Sequence, residues 1–154
     1  MKRFFDFLKP KIVYAHCDIP CGIYDPTPAK IAAKTVERMV MQIKELKSGV
    51  DETAYLNDVS RRVQVKEEHS KICKQELSIL WADFFKPEHL EKYPNLHDLF
   101  WKAAKLCSKN KQSVDDGAAK ELVAAVDEIA KIFYEAKGDP VRYNAYKEVT
   151  DKLF

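Results

Sequence analysis

Apolar side chains recur at steps of three and four along most of this chain, and proline or glycine cuts the pattern at only a few points. That period belongs to the α-helix, since strand side chains alternate at every second residue. The first stripe follows Asp25-Pro26-Thr27-Pro28, where Thr27 is expected to cap and Pro28 to take the first helical position. Ile31, Val36, Met39, Val40, Ile43 and Leu46 form its face, and Ser48-Gly49 ends it. The second runs from near Asp51 to Pro87 through Leu56, Val59, Val63, Cys73, Leu77, Leu80 and Phe84. Lys66 and Ser70 fall in its seam and predict a polar layer or a break there. The third begins around Pro94 and presents Leu96, Leu99, Phe100, Ala103, Leu106 and Cys107. Lys109 to Gly117 reads as a polar connection, with Ser113 as cap for the fourth stripe of Leu122, Val126, Ile129 and Phe133. Gly138-Asp139-Pro140 stops that helix, and Val141 to Phe154 forms a short fifth helix or frays. Four amphipathic helices with short connections predict an all-α, up-down four-helix bundle. A bundle alone leaves the function open.

Composition narrows the class. A chain of 154 residues suits one domain, and 46% hydrophobic content with 32% charge argues against disorder. No apolar run reaches the length of a membrane span. A net charge of +2 does not suggest a nucleic-acid partner. Cys73 and Cys107 sit inside helical stripes, as small buried hydrophobes would.

The first fifteen residues, MKRFFDFLKPKIVYA, resemble a secretory signal only superficially. Asp6, Lys9, Pro10 and Lys11 interrupt the apolar stretch such a signal requires. Lys2, Arg3, Lys9 and Lys11 oppose Asp6 alone, so the basic excess of the whole chain resides here. The segment is either a solvated terminus or a leader cut after Ala15.

The residues that follow carry the chemistry: His16-Cys17-Asp18-Ile19-Pro20-Cys21-Gly22-Ile23-Tyr24-Asp25-Pro26. Pro20 and Gly22 flank Cys21 and favour a compact turn that could bring the sulfurs of Cys17 and Cys21 together. Those thiols could form a disulfide, half a zinc site or incidental loop cysteines. Half a zinc site is disfavoured, because no second ligand pair such as CxxC exists elsewhere. Cleavage after Ala15 changes the balance. His16 would then offer a free α-amine and an imidazole, Cys17 a thiolate and its amide nitrogen, and Cys21 a second thiolate. Amine, amidate and two thiolates can surround one ion in a plane, with imidazole above it. Tetragonal nitrogen and sulfur donors suit Ni(II) or Cu(II) rather than tetrahedral zinc.

With this hook, HCDIPCGIYDP from His16 to Pro26, the chain resembles the nickel superoxide dismutases. LSILWADFFKPEHLEKYPNLHDL (Leu77 to Leu99) and, more weakly, DEIAKIFYEAK (Asp127 to Lys137) support the resemblance. It implies three regions: a leader over residues 1–15 removed by a dedicated peptidase, an enzyme domain over 16–137 with its metal-binding hook at 16–26, and a C-terminal extension over 138–154. It further implies a homohexamer with one nickel per subunit. The ligands would be the His16 α-amine and imidazole, the Cys17 amide nitrogen and thiolate, and the Cys21 thiolate. The reaction would be dismutation of superoxide to oxygen and hydrogen peroxide, with nickel cycling between Ni(II) and Ni(III). Tyr24 would hold an incoming anion or water beside the open face of the metal, Asp18 would help shape the hook, and Lys86 would attract the anion.

The chain departs from the family pattern at three positions. Ala32 stands where members carry a glutamate that hydrogen-bonds the axial histidine, His69 where a gapped alignment expects an arginine, and Phe84 where a tyrosine is common. Outer partners orient a ligating histidine and tune the metal, so redox tuning is expected to differ here. His69 is either a substitute partner for His16 or a solvated side chain. His89 and His97 flank Tyr93-Pro94 and share no helical face, so they are expected at the surface or in caps. The main alternative is a nickel or copper carrier without turnover, and a third is a helical interaction protein with Cys17 and Cys21 joined. Free thiolates without a secretory signal favour the cytoplasm.

Overall fold

A computed structural model describes residues 22–49 and 51–154. The expected leader (1–15) and the hook residues His16, Cys17, Asp18 and Cys21 lie outside the described residues. The helices are α1 (Thr27–Glu45), α2 (Glu52–Ile79), α3 (Pro87–Lys92), α4 (Leu96–Gln112), α5 (Asp116–Ala136) and α6 (Pro140–Thr150). One π-helical turn, Leu80–Phe84, extends α2, and no strand occurs among the described residues. α1 packs on α2 and α5, and α4 packs on the same two helices, which closes the up-down four-helix bundle.

The expected stripes form the core, with local corrections. Val36, Cys73, Leu77, Leu96, Phe100, Ala103, Leu122, Val126, Ile129 and Phe133 are all buried together. Ile31 instead faces solvent, and Ala29, Ala32 and Ala33 take the inward positions of the first turns. The small alanines let neighbouring helices approach closely there. Leu56 is also exposed, because the N-terminal half of α2 runs beyond the tightly packed core. Thr27 does not cap α1: it lies inside the helix, and its N–H donates to Asp25 Oδ1 at 2.8 Å. Ser113 is not the cap of α5 either. Asp115 takes that role, accepting from the Ala118 N–H at 3.1 Å, so the connection is shorter than the composition suggested.

The polar seam of α2 is real. Lys66 is almost wholly buried, and its Nζ donates to the carbonyls of Asn110 and, at 3.1 Å, Lys111. These belong to the last turn of α4, where free carbonyls and the negative end of the helix dipole favour a cation. Ser70 Oγ donates to Lys66 O at 2.8 Å, and Asn110 Nδ2 donates to Ala118 O at 3.0 Å, so one layer ties together α2, α4 and α5.

The tail does not fray. α6 packs on α5 and α1 and buries Tyr146 and Thr150. Burial, then the nearby Asp127 carboxylate, raises the Tyr146 phenol well above its usual range. Burial and Asp25 push Tyr134 up to about 12. Phenols that stay neutral in the fold but ionise in the open chain stabilise the fold below about pH 10, and that contribution is lost as pH rises from there. The thermal midpoint is therefore expected to fall steeply between about pH 10 and 12, and Tyr146→Phe to flatten the slope. An unchanged slope in that variant would refute the assignment. No helix of the described residues is long and apolar enough to cross a membrane.

Candidate metal centre

The described part of the hook is its root, Gly22 to Pro26. Gly22 has φ of +92°, a left-handed conformation that strains any residue with a side chain. The rest of the compact turn expected where Pro20 and Gly22 flank Cys21 lies outside the described residues. Two residues on, Tyr24 is 6% exposed, with its ring centroid 6.0 Å from that of Phe84. Lys137 Nζ donates to the Tyr24 carbonyl at 3.5 Å. Phe84 in turn lies 4.3 Å from Phe133 of α5. The root of the hook therefore rests on an aromatic wall.

The π turn builds that wall. The Phe85 N–H donates to Leu80 O at 3.1 Å, five residues back, so the turn holds one residue more than an α-helical turn. The added residue helps bring both Phe84 and Phe85 onto the core, where their rings meet edge to face at 4.9 Å. The chain then leaves the helix, and Lys86 stands exposed at the start of α3. Its backbone N–H donates to His89 Nδ1 at 3.0 Å, which leaves the proton of a neutral His89 on Nε2. His89 stacks on Phe84 as part of this cap, with ring centroids 5.9 Å apart. His97 accepts from Trp81 Nε1 at 2.8 Å. Both histidines thus have structural partners at the surface, and among the described residues no cluster of three His, Cys, Asp or Glu side chains could hold a metal.

Asp25 fixes the direction in which the chain enters α1. Beyond its bond to Thr27, its Oδ2 accepts from the Tyr134 hydroxyl at 3.3 Å and lies 3.9 Å from the Arg142 guanidinium. Tyr134 belongs to α5 and Arg142 to α6, so the C-terminal helix helps hold the root. Sequence reading missed all three residues. Asp25 could have been found from the Asp-Pro turn before a helix, a common capping arrangement.

The departures from the family pattern are also located. Ala32 is buried in α1, and its methyl group can donate no hydrogen bond. His69 lies on α2 roughly 20 Å of helix rise before Phe84. It lines a surface pocket with Arg61, Gln64, Val65 and Glu68. Burial lowers its pKa, and its Nδ1 has no hydrogen-bond partner among the described residues.

The hook sequence carries an imidazole and two thiols, to which a cut after Ala15 would add an amine, and this soft nitrogen and sulfur set fits nickel or copper and not a hard cation. Comparisons with known proteins agree. The sequence profile of nickel-containing superoxide dismutase matches residues 11–137. The Ni superoxide dismutase of Streptomyces coelicolor is 39% identical over 129 residues, covering 83% of this chain and 93% of that protein. The Streptomyces seoulensis enzyme is 40% identical over the same length and coverage. A crystal structure of a Ni-containing superoxide dismutase after partial X-ray-induced reduction superposes with a TM-score of 0.72 at 36% identity, covering 80% of this chain and 99% of that one. A native nickel superoxide dismutase structure gives 0.70 at 35% identity, with 79% and 99% covered. Sequence and fold agree over most of both chains, and this chain belongs to the nickel-containing superoxide dismutase family.

Proposed function

We propose that this chain dismutes superoxide to oxygen and hydrogen peroxide at one nickel per subunit, held by the hook once residues 1–15 are removed. The observation that carries the reading is the hook string itself, at the N-terminal end of a domain that matches the family from residue 11 to residue 137. In this reading the His16 α-amine and imidazole, the Cys17 amide nitrogen and thiolate, and the Cys21 thiolate hold the metal. Nickel bound there would supply a one-electron Ni(II)/Ni(III) couple, the chemistry that dismutation of superoxide requires. The Cys17 and Cys21 thiolates and the Cys17 amidate are anionic donors that would bring that couple into a useful range, and the His16 imidazole would add a neutral nitrogen donor.

The remaining residues control access and protons. The Tyr24 hydroxyl holds the incoming anion or a water, and the aromatic wall of Phe84 and Phe133 keeps the Tyr24 ring in place. Asp18, Pro20 and Gly22 shape the hook. Lys86, exposed where the π turn ends, adds positive potential that draws a small anion inward. A narrow site of this kind also protects the thiolates from peroxide, which would otherwise oxidise them irreversibly. The regions follow the same division: leader 1–15, enzyme domain 16–137 and extension 138–154. A homohexamer, a leader peptidase and a cytoplasmic location complete the reading. No nucleic-acid or membrane partner belongs to it.

Ala32 favours a second reading, a nickel or copper carrier without turnover. A buried methyl group would offer a ligating His16 imidazole no hydrogen-bond partner, and such partners typically change metal affinity or activity by about 10–100-fold. The test is a chain beginning at His16, loaded with nickel and assayed for superoxide loss per bound metal near neutral pH. Rapid turnover at one nickel per chain is expected. A fully loaded chain that leaves superoxide at its spontaneous rate of decay would establish the carrier.

A further inference from the structure

Two other cysteines lie together far from the hook in sequence. Cys73 of α2 and Cys107 of α4 are free thiols, 0% and 1% exposed, on neighbouring helices. Their side chains are near enough for each thiol to shift the titration of the other. Cys107 lines a surface pocket of about 350 Å³ together with Ser70, Lys71, Lys74, Ser108 and Lys111. Three lysines against one carboxylate, Glu67, give the pocket lining a net positive charge. Lys74 is held over it by a 3.3 Å bond from its Nζ to Ser108 Oγ.

The two thiols are not equivalent. The interaction with Cys73 lowers the Cys107 pKa, with Lys74 acting in the same direction against the effect of burial. The same interaction and burial raise Cys73. Cys107, which lines the pocket, is the thiol placed to meet a small solute first, and Cys73 lies behind it. Reactive cysteines occupy such electropositive, partly accessible sites, and purely packing cysteines do not require them.

We infer that Cys73 and Cys107 form a redox-active dithiol that hydrogen peroxide converts to an intramolecular disulfide through the lysine-lined pocket. The Cys107 thiolate attacks one peroxide oxygen, the O–O bond breaks, and hydroxide leaves and is protonated to water. Cys107 is then a sulfenic acid. The Cys73 sulfur gives up its proton and attacks the Cys107 sulfur, and the displaced hydroxide takes that proton as the second water. Two thiols lose two electrons in total, and one peroxide gains them. The oxidant is the product of the dismutation proposed above, but the chemistry of the pair requires neither nickel nor the hook.

The experiment separates the two readings. The full chain carrying Cys17→Ser and Cys21→Ser has only these two thiols and cannot act as a nickel dismutase. It is exposed to hydrogen peroxide while folded, then alkylated, digested and examined by mass spectrometry. The expected result is loss of both thiols, a mass lower by two hydrogens, and a disulfide-linked peptide joining Cys73 to Cys107. Lys74→Gln is expected to slow the loss roughly two- to tenfold by reducing the thiolate fraction. Adding Cys73→Ser is expected to leave a sulfenic acid at Cys107 that a dimedone probe captures. Thiols that survive peroxide in the folded chain, or a Cys107 carried to sulfinic acid with Cys73 still free, would overturn the proposal. Both results would leave the dismutase reading untouched.

Discussion

The uncut chain, loaded with nickel, is expected to consume superoxide at least about 100-fold more slowly per metal than the chain beginning at His16. The figure is a lower bound, because losing even an outer partner of a metal site costs about 10–100-fold. The reason lies in one nitrogen. In the uncut chain the nitrogen of His16 is part of a peptide bond with Ala15, and its lone pair is delocalised into the carbonyl. Such a nitrogen is a poor donor. After cleavage it becomes an α-amine with a pKa near 8, available to a metal at neutral pH. On the proposed function the leader would act as a chemical switch, keeping the donor set incomplete until it is removed. Two controls isolate the amine from the bulk of the leader. A chain with a single glycine added before His16, and the cut chain acetylated at its N-terminus, are both expected to behave like the uncut chain. Equal activity in cut and uncut chains would mean that the amine is not a ligand. Activity restored by the one-residue extension would assign the block to the size of the leader.

How much of this was legible depended on how far each determinant reaches along the chain. The helical stripes are local, so α2, α4 and α5 follow from spacing alone, and the polar seam at Lys66 and Ser70 was visible as a gap in the apolar pattern. What fills the seam was not. The carbonyls of Asn110 and Lys111 come from the end of another helix, and only the fold brings them to Lys66. The same holds at the N-terminus of α1. A threonine in the right place looked like a cap, but Asp25 is tied to Tyr134 and Arg142, more than a hundred residues away, and it sets the geometry. Ile31 was assigned inward because it is apolar. The packed face instead consists of alanines, whose small volume carries little periodic signal. The π turn at Leu80–Phe84 has no local signature either, and it helps bring Phe84 to Tyr24. The hook stood out for the opposite reason: its candidate donors lie close together in sequence, their types narrow the metal to nickel or copper, and the resemblance to the family points to nickel.

Asp127→Ala is expected to destabilise the apo chain by about 3–5 kcal/mol, the typical cost of removing one partner from a buried ion pair. Lys30 is fully buried in α1, and its ammonium donates to both oxygens of Asp127, at 2.6 and 2.7 Å, and to Asp151 at 3.2 Å. Lys147 bridges the same two carboxylates, at 2.7 and 2.9 Å, so two cations and two anions balance. Tyr146 adds a 3.3 Å bond to Asp127. Asp127 thus joins α1, α5 and α6 at a single carboxylate, and its loss leaves the buried Lys30 facing Lys147 with only Asp151 between them. A domain whose whole stability is about 5–15 kcal/mol would lose a large part of it. Asp151 is half exposed, and Asp151→Asn is expected to cost only about 1 kcal/mol, because solvent screens the charge it removes. Replacing both central partners, Lys30→Met with Asp127→Leu, is expected to recover most of the loss, since an apolar pair of similar volume incurs no desolvation penalty. Urea titration of the metal-free full chain checks all three, and omitting nickel removes any stabilisation by ligand binding. If Asp127→Ala costs no more than Asp151→Asn, the pair contributes nothing beyond a surface contact, and the role of α6 in holding the hook root must rest on Arg142 and Asp25 alone.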